Sequence, residues 1–467
     1  MTTKSIFKII TIVGVFYSTT GNAQINPANN LLGTLIDSVN YESYSHSFTY
    51  TDSICASSVM ISAPWSELEP SPGNFDFSSL QRKLNLVKAR GNLKMEVNIQ
   101  PLHMGSKTVP SDLVNLTYDN PLMIQRYKAI LDSVFNRIDT LDILAFNIGN
   151  EYEFYLFDTI DPIARIAQWM DFFKQAKTYA KQKYLINHPA ENLRVGTTFT
   201  YDGLTGASNP WMRSALKYIN DSCYTDIISV NYYAIDTGFM NFKDPIKVFA
   251  DFDTMVNVYQ FQTKPFFITE CGYPSGDSCG SSNLKQSQFI TNVFAAWDIH
   301  QSRIEYISLF KLQDWSWWVA NYFTQAFSGV FGWTTAQQIR FREYLRTLGL
   351  RDGNGIPKPD YYTLKNELSS RSYCQTATGI KDVKGNENSL ISIFPNPTND
   401  KLNIATMFDL KNAEMKIYNQ FGQIVKIISN INNRNIHVET TGLSNGVYYI
   451  VFLNGESQES RKFIINK

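Results

Sequence analysis

The feature that most constrains this chain is an alternation of short apolar runs with longer amphipathic stretches, continuing through residues 58–348. The runs at 58–63, 93–99, 143–148, 193–199, 227–230, 265–270 and 306–310 are rich in Val, Ile, Leu and Phe. They read as buried strands of a parallel sheet. Helical periodicity fills the intervals at 79–90, 121–138, 163–183, 211–219, 247–259 and 284–300, with a closing helix at 338–348. In the first of these, Leu80, Leu84 and Val87 share one face, and Gly91 ends the pattern. Residues 24–50 are polar and irregular, apart from a weak first strand at 31–39. Strand–helix units of this length predict an α/β fold, and eight of them fit a closed (β/α)8 TIM barrel.

Two of the strands end in an acid. The run at 143–148 passes into Gly149-Asn150-Glu151, and the run at 265–269 ends in Glu270. A carboxylate delivered where a parallel strand becomes a loop lies on the rim that carries the chemistry of such barrels. Two such acids, separated by about three strand–helix units, are expected to face one substrate as a catalytic pair. Glu153, two residues beyond Glu151, reads as a solvated loop charge.

Composition narrows the partners. Lys+Arg and Asp+Glu balance at 42 each, which implies no basic face and disfavours nucleic acid and anionic membrane. The start of the chain, with Lys4 and Lys8, an apolar run at 9–16 and Gly21-Asn22-Ala23, reads as a secretory signal peptide over 1–23. No later run reaches the roughly 20 apolar residues that span a bilayer, so the expected product is exported and soluble. Of the five cysteines, Cys271 and Cys279 flank a Gly/Pro/Ser/Asp loop after Glu270, and an oxidising destination permits a disulfide between them. The cysteines and histidines show no metal-ligand spacing; no metal and no cofactor is expected.

The character changes near the end. Residues 372–390 form a polar linker, and from 391 to 467 short alternating strands separated by turn residues predict a small all-β sandwich. It lacks any acid cluster or His/Cys set, so it reads as a carrier or binding module. The expected organisation is a signal peptide at 1–23, a barrel at 24–371, the linker, and this β domain.

The region from about 58 to 359 resembles the (β/α)8 glycoside hydrolases of clan A. Asn150-Glu151 is similar to the pair ending that clan's fourth strand, and Glu270 in Ile-Thr-Glu-Cys-Gly-Tyr-Pro-Ser to the nucleophile ending the seventh. Gly-Asn-Glu and Thr-Glu-x-Gly-aromatic-Pro look most like endo-β-galactanases and β-1,3-glucanases. The segment Trp65-Ser-Glu-Leu-Glu-Pro-Ser-Pro-Gly-Asn-Phe-Asp-Phe instead resembles β-galactosidases and xylanases. Cys271 departs from the clan, whose members commonly have a small or hydroxyl residue there. The tail, from Phe394-Pro-Asn-Pro to Gly446-Val-Tyr-Tyr, resembles the C-terminal sorting domain of the type IX secretion system, an address read at the outer membrane and usually removed.

These resemblances imply a secreted or cell-surface retaining β-glycosidase acting on a β-linked polysaccharide or oligosaccharide, with Glu151 as acid/base and Glu270 as nucleophile. Asn150 would bind the sugar 2-hydroxyl, Tyr232 or Tyr233 would donate to Glu270, and His103 would bind hydroxyls. Trp315 would stack on a sugar ring, with Trp65, Trp317, Trp318 and Trp333 as weaker platforms. The other readings are a non-catalytic carbohydrate-binding barrel and a surface adhesion protein.

Overall fold

The computed structural model describes residues 24–37, 44–156, 161–206, 210–221, 224–235, 242–373, 391–406, 410–419, 423–454 and 457–467. The expected signal peptide, Cys223, Cys374 and residues 374–390 of the expected linker lie outside them. The chain divides into two compact units, Met1–Gln375 and Thr376–Lys467.

The first unit is a closed parallel barrel. Its strands are β1 Leu31–Leu35, β2 Ser58–Pro64, β3 Lys94–His103, β4 Ile143–Asn150, β5, β6 Ile228–Tyr233, β7 Phe266–Gly272 and β8 Ile304–Leu309. The fifth strand is interrupted at Thr197: Val195–Gly196 pairs with β4, and Thr198–Thr200 pairs with β6. Reading round the ring gives β5–β4–β3–β2–β1–β8–β7–β6 and back to the second half of β5, which leaves no free edge.

Helices cover the outside: α1 Tyr44–Ser53, α2 Ser78–Lys88, α3 Pro121–Ile138, α4 Pro162–Asn187, α5 Pro210–Asp221, α6 Lys247–Val258 and α7 Asn283–His300. Several begin as local chemistry dictates. Asn120 and Asp161 accept the backbone N–H two and three residues on, each with a proline at the first helical turn. After β8 the chain adds a helical hairpin, α8 Trp317–Phe331 and α9 Thr335–Arg346, and then α10 Pro359–Ser370. Gly332, at φ +63°, ends α8, and a reciprocal capping box between Thr334 and Gln337 starts α9. The sequence pattern missed α1, α8 and α10; α8 is aromatic round much of its circumference, so no two-sided pattern marks it.

Inside the ring the side chains form layers. Leu144, Ala145, Ile227, Phe267 and Tyr306 close the bottom. Above them lies a polar layer in which Asn147 donates to Glu96 (2.6 Å) and accepts from Ser229 (2.7 Å). Burial pushes Glu96 up to about 8, so it is a neutral acid at pH 7. The strand ends carrying Glu151 and Glu270 lie above this layer.

The second unit has a three-stranded sheet, Ile391–Phe394, Lys401–Thr406 and Asn435–Glu439, and a four-stranded antiparallel sheet, Ile424–Ile431, Ala413–Asn419, Gly446–Asn454 and Ser457–Ile465. Residues from both, among them Leu402, Ile404, Met415, Ile450 and Phe463, bury a common core. It is the small all-β domain that the alternating pattern predicts.

Candidate active site

The fourth strand delivers its acid through a sharp bend. Gly149 has φ +83°, and a Cβ there would meet the Trp169 ring at 2.8 Å, so only glycine fits. Glu151 itself has φ +54°. A left-handed backbone on a non-glycine residue is strained, and it persists only where surrounding contacts fix it. Here the contact is Asn231, whose Nδ2 donates to Glu151 Oε1 (3.0 Å) and lies 3.2 Å from Asn150 Oδ1.

Asn231 comes from β6, directly beside Glu270 of β7 in the sheet register. Its Oδ1 is held by the Thr269 hydroxyl (2.8 Å), which turns the amide nitrogen towards the acids. Asn231 also favours the charged form of neighbouring Glu270. Glu151 and Glu270 line one cavity, and the charge of Glu270 acts on Glu151. The two expected acids therefore meet at the mouth of the ring.

Strand alternation settles which tyrosine assists. Ser229, Asn231 and Tyr233 share the inner face of β6, and the Tyr233 hydroxyl donates to Glu270 Oε2 at 2.6 Å. Tyr232 points outward, fully buried, and donates to Asp251 (3.0 Å). Burial and the Glu270 charge hold the Tyr233 hydroxyl well above its ordinary range, so it stays a donor.

Glu151 and Glu270 are only 7% and 9% exposed. Burial raises both carboxyls, and the Glu270 charge raises Glu151 further. Glu270 accepts from Tyr233, which together with the neighbouring Asn231 favours its charged form. The pair's one negative charge accordingly rests on Glu270 and its proton on Glu151.

The acids open into a cavity of about 940 Å³. Asn150 and His103 line it, 3.4 Å apart between Nδ2 and Nδ1, and burial lowers His103 to about 4, leaving a neutral imidazole. Trp315 also borders it, but its ring stacks on Phe323 (5.0 Å, 13°) and the Lys311 ammonium sits 3.3 Å from its centroid. Its N–H donates to Asp37 (3.2 Å), another cavity residue that Lys311 Nζ approaches to 2.7 Å. Trp333 lines the cavity; Trp317 and Trp318 lie on the protein surface away from it.

Three expectations are corrected. Trp65 is 0% exposed, bonded through Nε1 to Glu69 and packed on Tyr127 in the core, so it offers no platform. Cys271 and Cys279 are both free thiols. Cys271 packs into the main core while Cys279 belongs to the separate cluster under α8 and α9, its Sγ donating to the Arg340 carbonyl. Among the described residues, Cys55 is held in a disulfide. Glu153 is no solvated charge: it is 2% exposed, accepts the Thr200 amide (2.6 Å), and burial followed by the Glu151 charge pushes it up to about 8.

Asn231 is the functional residue that pattern reading missed. Its position immediately before the two strand-ending tyrosines was the available signal. Asp142, His188 and Glu191 could together hold a cation, but they sit at the far end of β4 from the acids.

Comparisons bear on each unit separately. Residues 392–466 match the family described as the secretion system C-terminal sorting domain. The tail is thus similar to a sorting domain. The barrel superposes on GH5_18 from Streptomyces cattleya in complex with Manβ1-4GlcNAc, as a variant, with a TM-score of 0.56 and 12% identity over 75% of this chain and 82% of that one. GH5_18 from Bifidobacterium longum subsp. infantis gives 0.52 and 10% identity over 74% and 79%. The chain thus has the fold of these enzymes. A comparison with curated proteins finds no match. Among the described residues no helix is long and apolar enough to cross a membrane.

Proposed function

We propose that the barrel is a retaining β-glycoside hydrolase. The observation that carries this reading is that Glu151, bonded by Asn231, and Glu270, bonded by Tyr233, line one cavity at the strand ends. Direct attack by one carboxylate, for which a separation of about 5–5.5 Å is usual, needs that group charged, as Tyr233 and Asn231 favour for Glu270.

The ionised Glu270 attacks the anomeric carbon. The glycosidic C–O bond breaks, and Glu151 gives its proton to the leaving oxygen. Once Glu270 is an ester its charge is gone, which lowers Glu151; Glu151 then takes a proton from water, whose oxygen displaces Glu270. Asn150, with neutral His103 beside it, is placed to hold the 2-hydroxyl, where bonds tighten in the transition state. The fold shared with GH5_18 supports the class, and the β-linked disaccharide bound there makes β-mannosides sensible first substrates. Polysaccharides and oligosaccharides bearing such linkages are the expected partners.

The sorting-domain match supports export through the type IX machinery, with the barrel at 24–371 as cargo and 391–467 as the address. The test of the catalytic reading is Glu270→Ala. Turnover of β-glycosides should be abolished and then restored by azide, giving a glycosyl azide of inverted configuration. Undiminished turnover in both Glu270→Ala and Glu151→Ala would refute the assignment.

A further inference from the structure

The cavity has two chemically unlike sides. Strand ends contribute Asp37, Gln100, His103, Asn150 and Asn231, all able to bond hydroxyls. The helical hairpin after β8 contributes a different surface. Along α8, Val319, Phe323, Phe327 and Phe331 recur every fourth residue and all line the cavity. The stripe runs for about 18 Å at 1.5 Å per residue. Its rings form one continuous surface, with Phe323–Phe327 and Phe327–Phe331 centroids both 6.4 Å apart, and Phe331 stacked on Trp333 at 5.7 Å. Phe154, just beyond the acid/base, meets Phe331 at 6.1 Å and joins the stripe to the catalytic floor.

None of these four side chains carries a hydrogen-bonding atom. A second sugar laid along them would gain C–H contacts with the rings but no hydrogen bond from this wall. Core packing explains the stripe only in part: Phe323 and Phe327 pack on the hairpin's core of Ala320, Phe341 and Leu345, yet both also line the cavity, and Phe331 at the end is 39% exposed. A single aryl group would cover one ring of the stripe, whereas its length matches an extended chain.

Resting on the glycosidase reading, we infer that the α8 stripe is an aglycone subsite, and that its occupant is the alkyl chain of a β-linked alkyl glycoside or glycolipid. The sugar sits over Asn150 and the acids, and the chain leaves past Phe154 along α8.

The test compares methyl and octyl β-D-mannosides, glucosides and galactosides, below micellar concentrations, with the corresponding β-1,4-disaccharides and phenyl glycosides. It uses the full-length protein. The two alkoxide leaving groups are nearly equally basic, so the octyl/methyl ratio of kcat/KM reports aglycone binding. For whichever sugar is cleaved, that ratio should be about 100, well below the limit for burying seven more methylenes. It should fall at least tenfold in Phe331→Asn and in Val319→Asn, each verified as folded by circular dichroism, and recover in Phe331→Leu. A ratio near one, a ratio unchanged in both Asn variants, or a disaccharide or phenyl glycoside outranking the octyl glycoside overturns the inference while leaving the glycosidase reading intact. Tryptophan fluorescence supplies the binding readout independent of turnover. If octyl glycosides quench it more tightly than methyl glycosides, Phe331→Asn abolishes the difference and no sugar is cleaved, the hydrolase reading falls and the alkyl site stands. Equal quenching by both, with no cleavage, removes both.

Discussion

The floor and the wall of the cavity are built on opposite principles. On the floor, Glu151, Glu270, Asn231 and Tyr233 are held by hydrogen bonds that join the ends of different strands, with β6 and β7 set side by side by the sheet register. The wall is a helix whose aromatic side chains touch one another and the cavity by packing alone. A hydrogen-bonded floor fixes charges to within a fraction of an ångström, which bond-making requires. A packed wall selects by shape and polarity and can vary without disturbing the chemistry.

That contrast is open to direct attack. The largest effect belongs to the floor: Glu270→Ala should lower kcat on the order of 10⁵-fold with little change in urea midpoint, as steady-state kinetics and denaturation would measure. Asn231→Ala should cost about 100- to 1,000-fold in kcat, comparable with removing a preorganised donor. If it changes KM alone, the amide is a binding group and the account of the paired acids fails.

Tyr233→Phe should cost about tenfold. Removing its bond to the charged Glu270 raises that acid, so the acidic limb of the kcat/KM profile should move to higher pH. In the native protein both limbs belong to acids raised by burial, so the optimum should lie nearer neutrality than the ordinary carboxylate range would place it. Beneath the wall, Phe341→Ala should instead destabilise the fold by about 3 kcal/mol through the cavity it leaves, read from the thermal midpoint.

The smallest effect sharpens the electrostatics of the floor. Folded Glu96 keeps its proton up to about pH 8, whereas in the unfolded chain it ionises near its ordinary 4.5. The unfolded state therefore binds fewer protons between those values, and this acid's contribution to stability declines as pH rises from about 4.5 to about 8. Glu96→Gln should flatten that decline in urea midpoints taken at pH 5 and pH 8. An unchanged slope would place the effect on another group.

Much of the barrel was legible because period-2 and period-3.6 patterns report burial directly. The helix at 121–138 coincides with Pro121–Ile138, and both acids fell at the strand ends where the apolar runs stop. The aromatic segment after β8 carried no helical reading because a helix buried or aromatic on several sides has no polar face to mark it. Trp65 was misplaced for a related reason. Its neighbours in sequence suggest a rim, but its indole N–H finds Glu69 and its ring finds Tyr127, turning it inward.

The sequence by itself determined that strands and helices alternate, that two glutamates end two strands, and that a separate β domain carries a sorting signature, because each of these is written in local periodicity or in a short motif. Only the tertiary structure decided that one asparagine from a third strand would bond Glu151 beside Glu270, that Tyr233 rather than Tyr232 would face the acids, and that Glu153 would be buried. Those outcomes depend on the register between strands distant in the chain, where a shift of one residue turns a side chain to the opposite face.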